Sequence, residues 1–189
     1  MIDENIFEAA ISLTRAVNRT ADENLPGELK GIVKLHAGLA VGAALVPIPA
    51  ADIAAAGANV WTMYIRINKA IDLPFSEHLV KSIATGLATN LASYFGASLI
   101  VGTAVKLFPG IGTAAGIAIQ GATIYGVTVA AGIVYMKALA AVLNKRTSGD
   151  IDVGELKSTI DALIRDRENI KTIVEGAKES YKADKRAAS

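Results

Sequence analysis

Polar and apolar positions divide the chain into blocks of helical period. Near the start, Ile6, Ala10, Leu13 and Val17 recur at spacings of four, three and four, which places them on one face of a helix from about Asp3 to Arg19. Asp22 to Pro26 breaks that pattern, and Pro26 suits the first turn of a second helix reaching about Val46. Pro47-Ile48-Pro49 stops it. A third helix then runs to about Ile71, with Asp52 in its first turn, where a carboxylate is favoured by the helix dipole.

After a break at Asp72 to Ser76, a fourth helix capped by Ser76 extends to about Leu107, and Pro109-Gly110 separates it from a fifth that ends near Asn144. Two joints, around Pro47-Pro49 and Pro109-Gly110-Ile111-Gly112, each link two apolar helices, which hints at a weak two-fold repeat. The last helix opens on Asp152-Val-Gly-Glu155, a capping-box spacing. Leu156, Ile160, Leu163, Ile164, Ile170, Val174, Ala177 and Tyr181 form its apolar stripe, opposite a densely charged face that suits a surface or a partner helix. Residues from Lys182 onward are expected to fray.

The pattern predicts an all-α bundle of about six helices built around an antiparallel, Gly/Ala-rich apolar hairpin at 77–143. Residues 1–149 form the helical core domain, and 150–189 an amphipathic charged C-terminal helix with a frayed tail. The hairpin holds two uncharged runs, 24 residues from Ser82 to Val105 and 30 from Leu107 to Met136. At about 1.5 Å per residue, either is long enough to cross a hydrocarbon layer of about 30 Å.

Small residues recur every four positions on both arms: Ala84, Ala88, Ala92 and Gly96 on one, and Gly110, Ala114, Ala118, Ala122, Gly126 and Ala130 on the other. A ridge without bulk lets two backbones approach closely, so the two rows are expected to face each other. Lipid and a tight water-soluble bundle both use such rows. Thr85, Thr89, Asn90, Ser93, Ser98, Thr103, Gln120, Thr123 and Thr128 are a polar load that spanning helices must hide, and Asn90 and Gln120 would either bond across the hairpin or face water.

Composition narrows the function. Hydrophobic residues make up 52% of the 189 and aromatics only 5%, with a mean hydropathy of +0.40, so the apolar mass is small side chains suited to helix packing. The net charge of +1 hides an asymmetry: no acid lies between Glu77 and Asp150, where Lys81, Lys106, Lys137, Lys145 and Arg146 punctuate the hairpin. Five dispersed cations are too few for a nucleic-acid groove, but fit the flanks of apolar helices near headgroups or at a protein surface. With no cysteine, thiolate chemistry and Cys-based metal sites are excluded. The acidic start, Asp3, Glu4 and Glu8, is unlike an export signal and implies a cytoplasmic location.

Candidate chemistry adds little. Gly110-Ile-Gly112-Thr-Ala-Ala-Gly116 resembles a phosphate loop, but a dinucleotide site needs an acid about 20 residues later and none exists, so it reads as a tightly packed helix start and no cofactor is implied. Asp72, Ser76 and His78 crowd one turn, where a triad is rarely assembled, and His36 and His78 have no metal-ligand spacing. Trp61, Tyr64, Arg66 and Lys69 along the end of the third helix are either a bundle edge with snorkelling cations or an interfacial anchor.

Leu45-Val-Pro-Ile-Pro-Ala-Ala-Asp52, Ile71-Asp-Leu-Pro-Phe-Ser76, Lys106-Leu-Phe-Pro-Gly-Ile-Gly-Thr113 and Gly121-Ala-Thr-Ile-Tyr-Gly126 resemble a bacterial family of uncharacterised small apolar helical domains that accompany small GTPases, and EcsC-like proteins share a similar proline-acid joint. The resemblance covers about residues 30–143. It implies a membrane-associated module working with a GTPase, supplied in trans because this chain carries no GTPase motif. The resulting expectation is a non-enzymatic, membrane-associated helical protein at the inner face of, or inserted in, the cytoplasmic membrane. Its partners would be lipid, a GTPase or other protein, and further copies of itself. The alternative is a soluble self-assembling or adaptor bundle with an apolar oligomer interface.

Overall fold

A computed structural model describes the backbone of residues 27–44, 51–71, 73, 78–87, 89–91, 111–144 and 152–187. Its side chains are described over 27–42, 58–71, 73, 78–87, 89–91, 119–143 and 152–187. The protein is all-α, with no strand among the described residues. The helices are α1 (Gly27–Ala44), α2 (Ala51–Ala70), α3 (helical at 78–87 and 89–91), α4 (Ile111–Asn144), α5 (Val153–Arg165) and α6 (Arg167–Ala187). The helix at Asp3 to Arg19, Pro47, Pro49 and the Pro109-Gly110 turn lie outside the described residues.

The architecture follows from α4. Between Ile119 and Leu143 this helix is apolar all round, so no single face can bury it, and α1, α2, α5 and α6 all pack against it. Val33 lies beside Gly132 and Val41 beside Gly121, so α1 runs antiparallel to α4. Tyr64 meets Ala131 and Asn68 meets Tyr135, so α2 runs parallel to it. Val174 lies beside Gly126 and Tyr181 beside Tyr125, making α6 antiparallel. One core joins these helices with Val80, Ile83, Ala84, Leu87 and Leu91 of α3.

The C-terminal region differs from the single amphipathic helix expected. Asp152 does start it, accepting from the amides of Gly154 and Glu155 at 2.7 and 3.2 Å. The helix breaks at Asp166, whose carboxylate accepts from the Asn169 amide at 3.1 Å and restarts the chain as α6. The break lets two shorter stripes, Leu156 and Ile160, then Ile170, Ile173, Val174 and Ala177, each follow the surface of α4. α6 stays helical to Ala187, past the Lys182 at which fraying was expected, with Lys178–Glu175 and Lys182–Glu179 pairs one turn apart at 2.9 and 2.7 Å.

Small residues do permit close backbone approach, of α4 to α6 and to α1. A Cβ on Gly126 would lie 2.7 Å from the Val174 carbonyl oxygen, so this member of the predicted ridge faces α6. A Cβ on Gly132 would lie 2.8 Å from a Val33 methyl, so α1 uses another side of α4. Having neighbours on several sides, α4 needs its small residues on several sides.

Gly126→Ala is therefore expected to cost about 1–3 kcal/mol, because a backbone carbonyl must move. Gly38→Ala, which meets nothing within 4 Å, should instead gain up to about 1 kcal/mol of helix propensity. Urea unfolding midpoints of the two variants measure the difference.

Candidate functional site

Polar groups inside the bundle are few and concentrated. On α2 and α4, the rings of Tyr64 and Tyr135 stack with centroids 3.9 Å apart. The Tyr64 hydroxyl donates to the Ala131 carbonyl at 3.0 Å, and that of Tyr135 to Asn68 Oδ1 at 2.9 Å. Tyr64, Tyr135 and Asn68 are all buried, and desolvation holds both phenols protonated by raising their pKa values. Asn68 Nδ2 has no partner. This cluster orients α2 on α4.

Between α1 and α2, His36 Nδ1 lies 2.8 Å from Asn59 Oδ1, while Asn59 Nδ2 donates to the His36 carbonyl at 2.8 Å. The imidazole is 2% exposed and its Nε2 has no partner. Burial lowers its pKa, against the Asn59 hydrogen bond, so the neutral ring is the native form. Lys137, expected to flank the hairpin, is 7% exposed instead. Burial lowers the pKa of its ammonium, with the Asp166 carboxylate acting in the opposite direction. Among the described residues no three His, Asp or Glu side chains gather as a metal site would require.

Three of the hairpin's described polar residues, Asn90, Thr123 and Thr128, bond within their own helices. Thr123 and Thr128 donate to the carbonyls four residues back, at 2.9 Å each. Asn90 does the same to Gly86 at 3.0 Å from an exposed position, facing water, whereas Gln120 is buried with Oε1 unpartnered. The outer face of α3 is polar, made of Lys81, Ser82, Thr85, Thr89 and Asn90.

Chemistry of a different kind lies on α1. Its outward positions from Gly31 to Gly42 are Gly31, Leu35, Gly38, Leu39 and Gly42, without a charge among them. Leu35 is 47% exposed and Leu39 53%. Ile119 of α4 is 42% exposed, but two residues make about 200° of helix turn, so it points away from the side on which Gly121 meets Val41. The sequence reading passed over these leucines because their outward direction depends on which face of α1 meets α4. The signal present was the short apolar, glycine-punctuated stretch itself.

The remaining candidates scatter. Ala84, Ala122 and Ala130 are buried, while Ala114, Ala118 and Gly112 lie within α4 and Asp52 within α2 without described side chains. Ala88, Ala92, Gly96 and Gly110 lie outside the described residues. Of the four proposed anchors, Arg66 and Lys69 are exposed and Trp61 is partly buried, its ring 5.4 Å from Lys81 Nζ. Tyr64 is 0% exposed and is no interfacial anchor, because the stack on Tyr135 draws it into the core.

No protein-family model matches the chain, and no solved structure matches it. It is similar to the magnetosome membrane protein 22 of Magnetospirillum gryphiswaldense, 32% identical over 102 residues, which cover 52% of each chain. The chain thus spans about half the length of that relative.

Two measurements test the interior. Tyr135→Phe strips Asn68 of its bonded donor and should cost about 1–3 kcal/mol in urea unfolding. His36 has a native pKa below its unfolded value of about 6.5, so its contribution is complete above that pH and is lost as pH falls through the lowered native pKa. His36→Gln should flatten the fall in melting temperature between about pH 7 and pH 5.

Proposed function

We propose that this chain is a non-enzymatic, membrane-associated helical protein that lies on the membrane with α4 inside its bundle. The observation that carries the reading is the similarity to a magnetosome membrane protein. The packing of α4 argues for the mode of association: Ile119–Leu143 is long and apolar enough to span, yet 83% of its most apolar window is already buried by the protein. A helix enclosed on that scale gains little from lipid. The charged outer faces of α5 and α6 are the side left for a protein partner, with a GTPase in trans the candidate that the family resemblance implies.

The same burial favours a second reading, a soluble bundle that assembles with itself. Fractionation separates the two. A surface-bound protein is expected in the membrane pellet and is released by an alkaline carbonate wash. Recovery wholly in the soluble fraction before any wash, as a complex larger than one chain, would establish the second reading and overturn the first.

A further inference from the structure

We infer that the outer face of α1, Gly31, Leu35, Gly38, Leu39 and Gly42, is the surface that meets lipid, an inference that rests on the membrane reading above. Two leucines stand about half exposed there. Added Cβ atoms at Gly31, Gly38 and Gly42 would meet nothing within 4 Å.

Charge and area both select the occupant. No acid lies on α1 from Gly31 to Gly42, so the strip itself carries no negative charge, while Glu28 precedes it and Asp184 of α6 stands beside Lys34 on its flank. Lys30 and Lys34 sit half-buried along its flank, and cations flanking exposed leucines suit an anionic headgroup layer. Lys34 also lies 3.9 Å from the Asp184 carboxylate, a surface pair that high dielectric keeps weak.

A second copy fits less well. Residues 31–42 extend about 18 Å, and with a helix about 10 Å wide the strip offers about 180 Å² per copy. A specific dimer buries about 600–1,000 Å² per partner. Glycines also supply none of the aromatic or arginine anchors that concentrate binding energy. A fluid lipid surface requires neither large area nor shape complementarity.

The test is flotation of the purified full-length chain with vesicles of phosphatidylcholine alone and of phosphatidylcholine with phosphatidylglycerol. The wild type is expected to float with the anionic vesicles. Leu35→Asp/Leu39→Asp should reduce the bound fraction by at least about tenfold, while Leu35→Met/Leu39→Met floats like the wild type. Circular dichroism melting checks that each variant is folded.

Should the aspartate pair disturb folding, the cysteine-free sequence permits a single environment-sensitive label at Gly42→Cys. Its emission should shift to the blue on adding anionic vesicles, whereas a label at Thr85→Cys on the polar face of α3 should not shift. Undiminished flotation of a folded Leu35→Asp/Leu39→Asp chain, or a shift at Thr85 and none at Gly42, would overturn the inference and leave membrane association intact. A wild type that floats with neither vesicle would overturn the membrane reading itself. If light scattering finds a dimer that the aspartate pair dissolves while flotation persists, the face belongs to a second copy and the inference is wrong.

Discussion

A helix that is apolar on every side, with Lys137 its single charge, has to be surrounded, and α4 imposes that requirement on the rest of the described structure. Water cannot solvate it, and a single neighbouring helix covers only part of its circumference. Four helices of described contact, α1, α2, α5 and α6, divide it among them, and each adopts a direction set by its contact. Close approach is possible because Gly126 and Gly132 remove the side chains that would otherwise hold α6 and α1 away. The break at Asp166 belongs to the same logic: a helical face drifts around its axis with length, and α5 and α6 restart the register so both can stay on α4.

Enclosure also accounts for the polar groups. Thr123 and Thr128 satisfy their hydroxyls on their own helix, which costs no partner elsewhere. Tyr64, Tyr135 and Asn68 bond across α2 and α4 and fix one rotational setting of the pair, since a turn of either helix would leave hydroxyls and an amide stranded in the core. The His36–Asn59 contact does the same between α1 and α2. Such groups specify how apolar helices sit, which Ala and Gly by themselves specify poorly.

Covering α4 leaves α1 with a consequence. One side of α1 is committed to α4 through Val33, and His36 on α1 meets Asn59 of α2, so Leu35 and Leu39 are turned outward together with three glycines. α2 and α3 by contrast carry Arg66, Lys69, Lys81 and a run of small polar residues outward. Among the described helices the outward face of α1 from Gly31 to Gly42 is therefore apolar, and those of α2, α3, α5 and α6 are polar. This asymmetry, rather than the most hydrophobic segment, is what points to a contact with lipid.

The sequence by itself determined that the protein is helical, about where α1, α2 and α4 begin and end, and that its middle carries no acid. Those properties are local: proline and glycine joints, the Asp152 cap and the period of apolar residues act over one or two turns. It also contained the Asp166 break, in the six-residue gap from Ile164 to Ile170 and the Asp166 to Asn169 spacing, though a continuous stripe was the simpler reading. Only the tertiary structure decided which sides of α4 face which helices, because every side is apolar and periodicity then carries no direction. For that reason Gly126 meets α6, Tyr64 lies in the core and Lys137 is buried. Leu35 and Leu39 face outward for the same reason, since a leucine is equally at home on either side of a helix until packing assigns one.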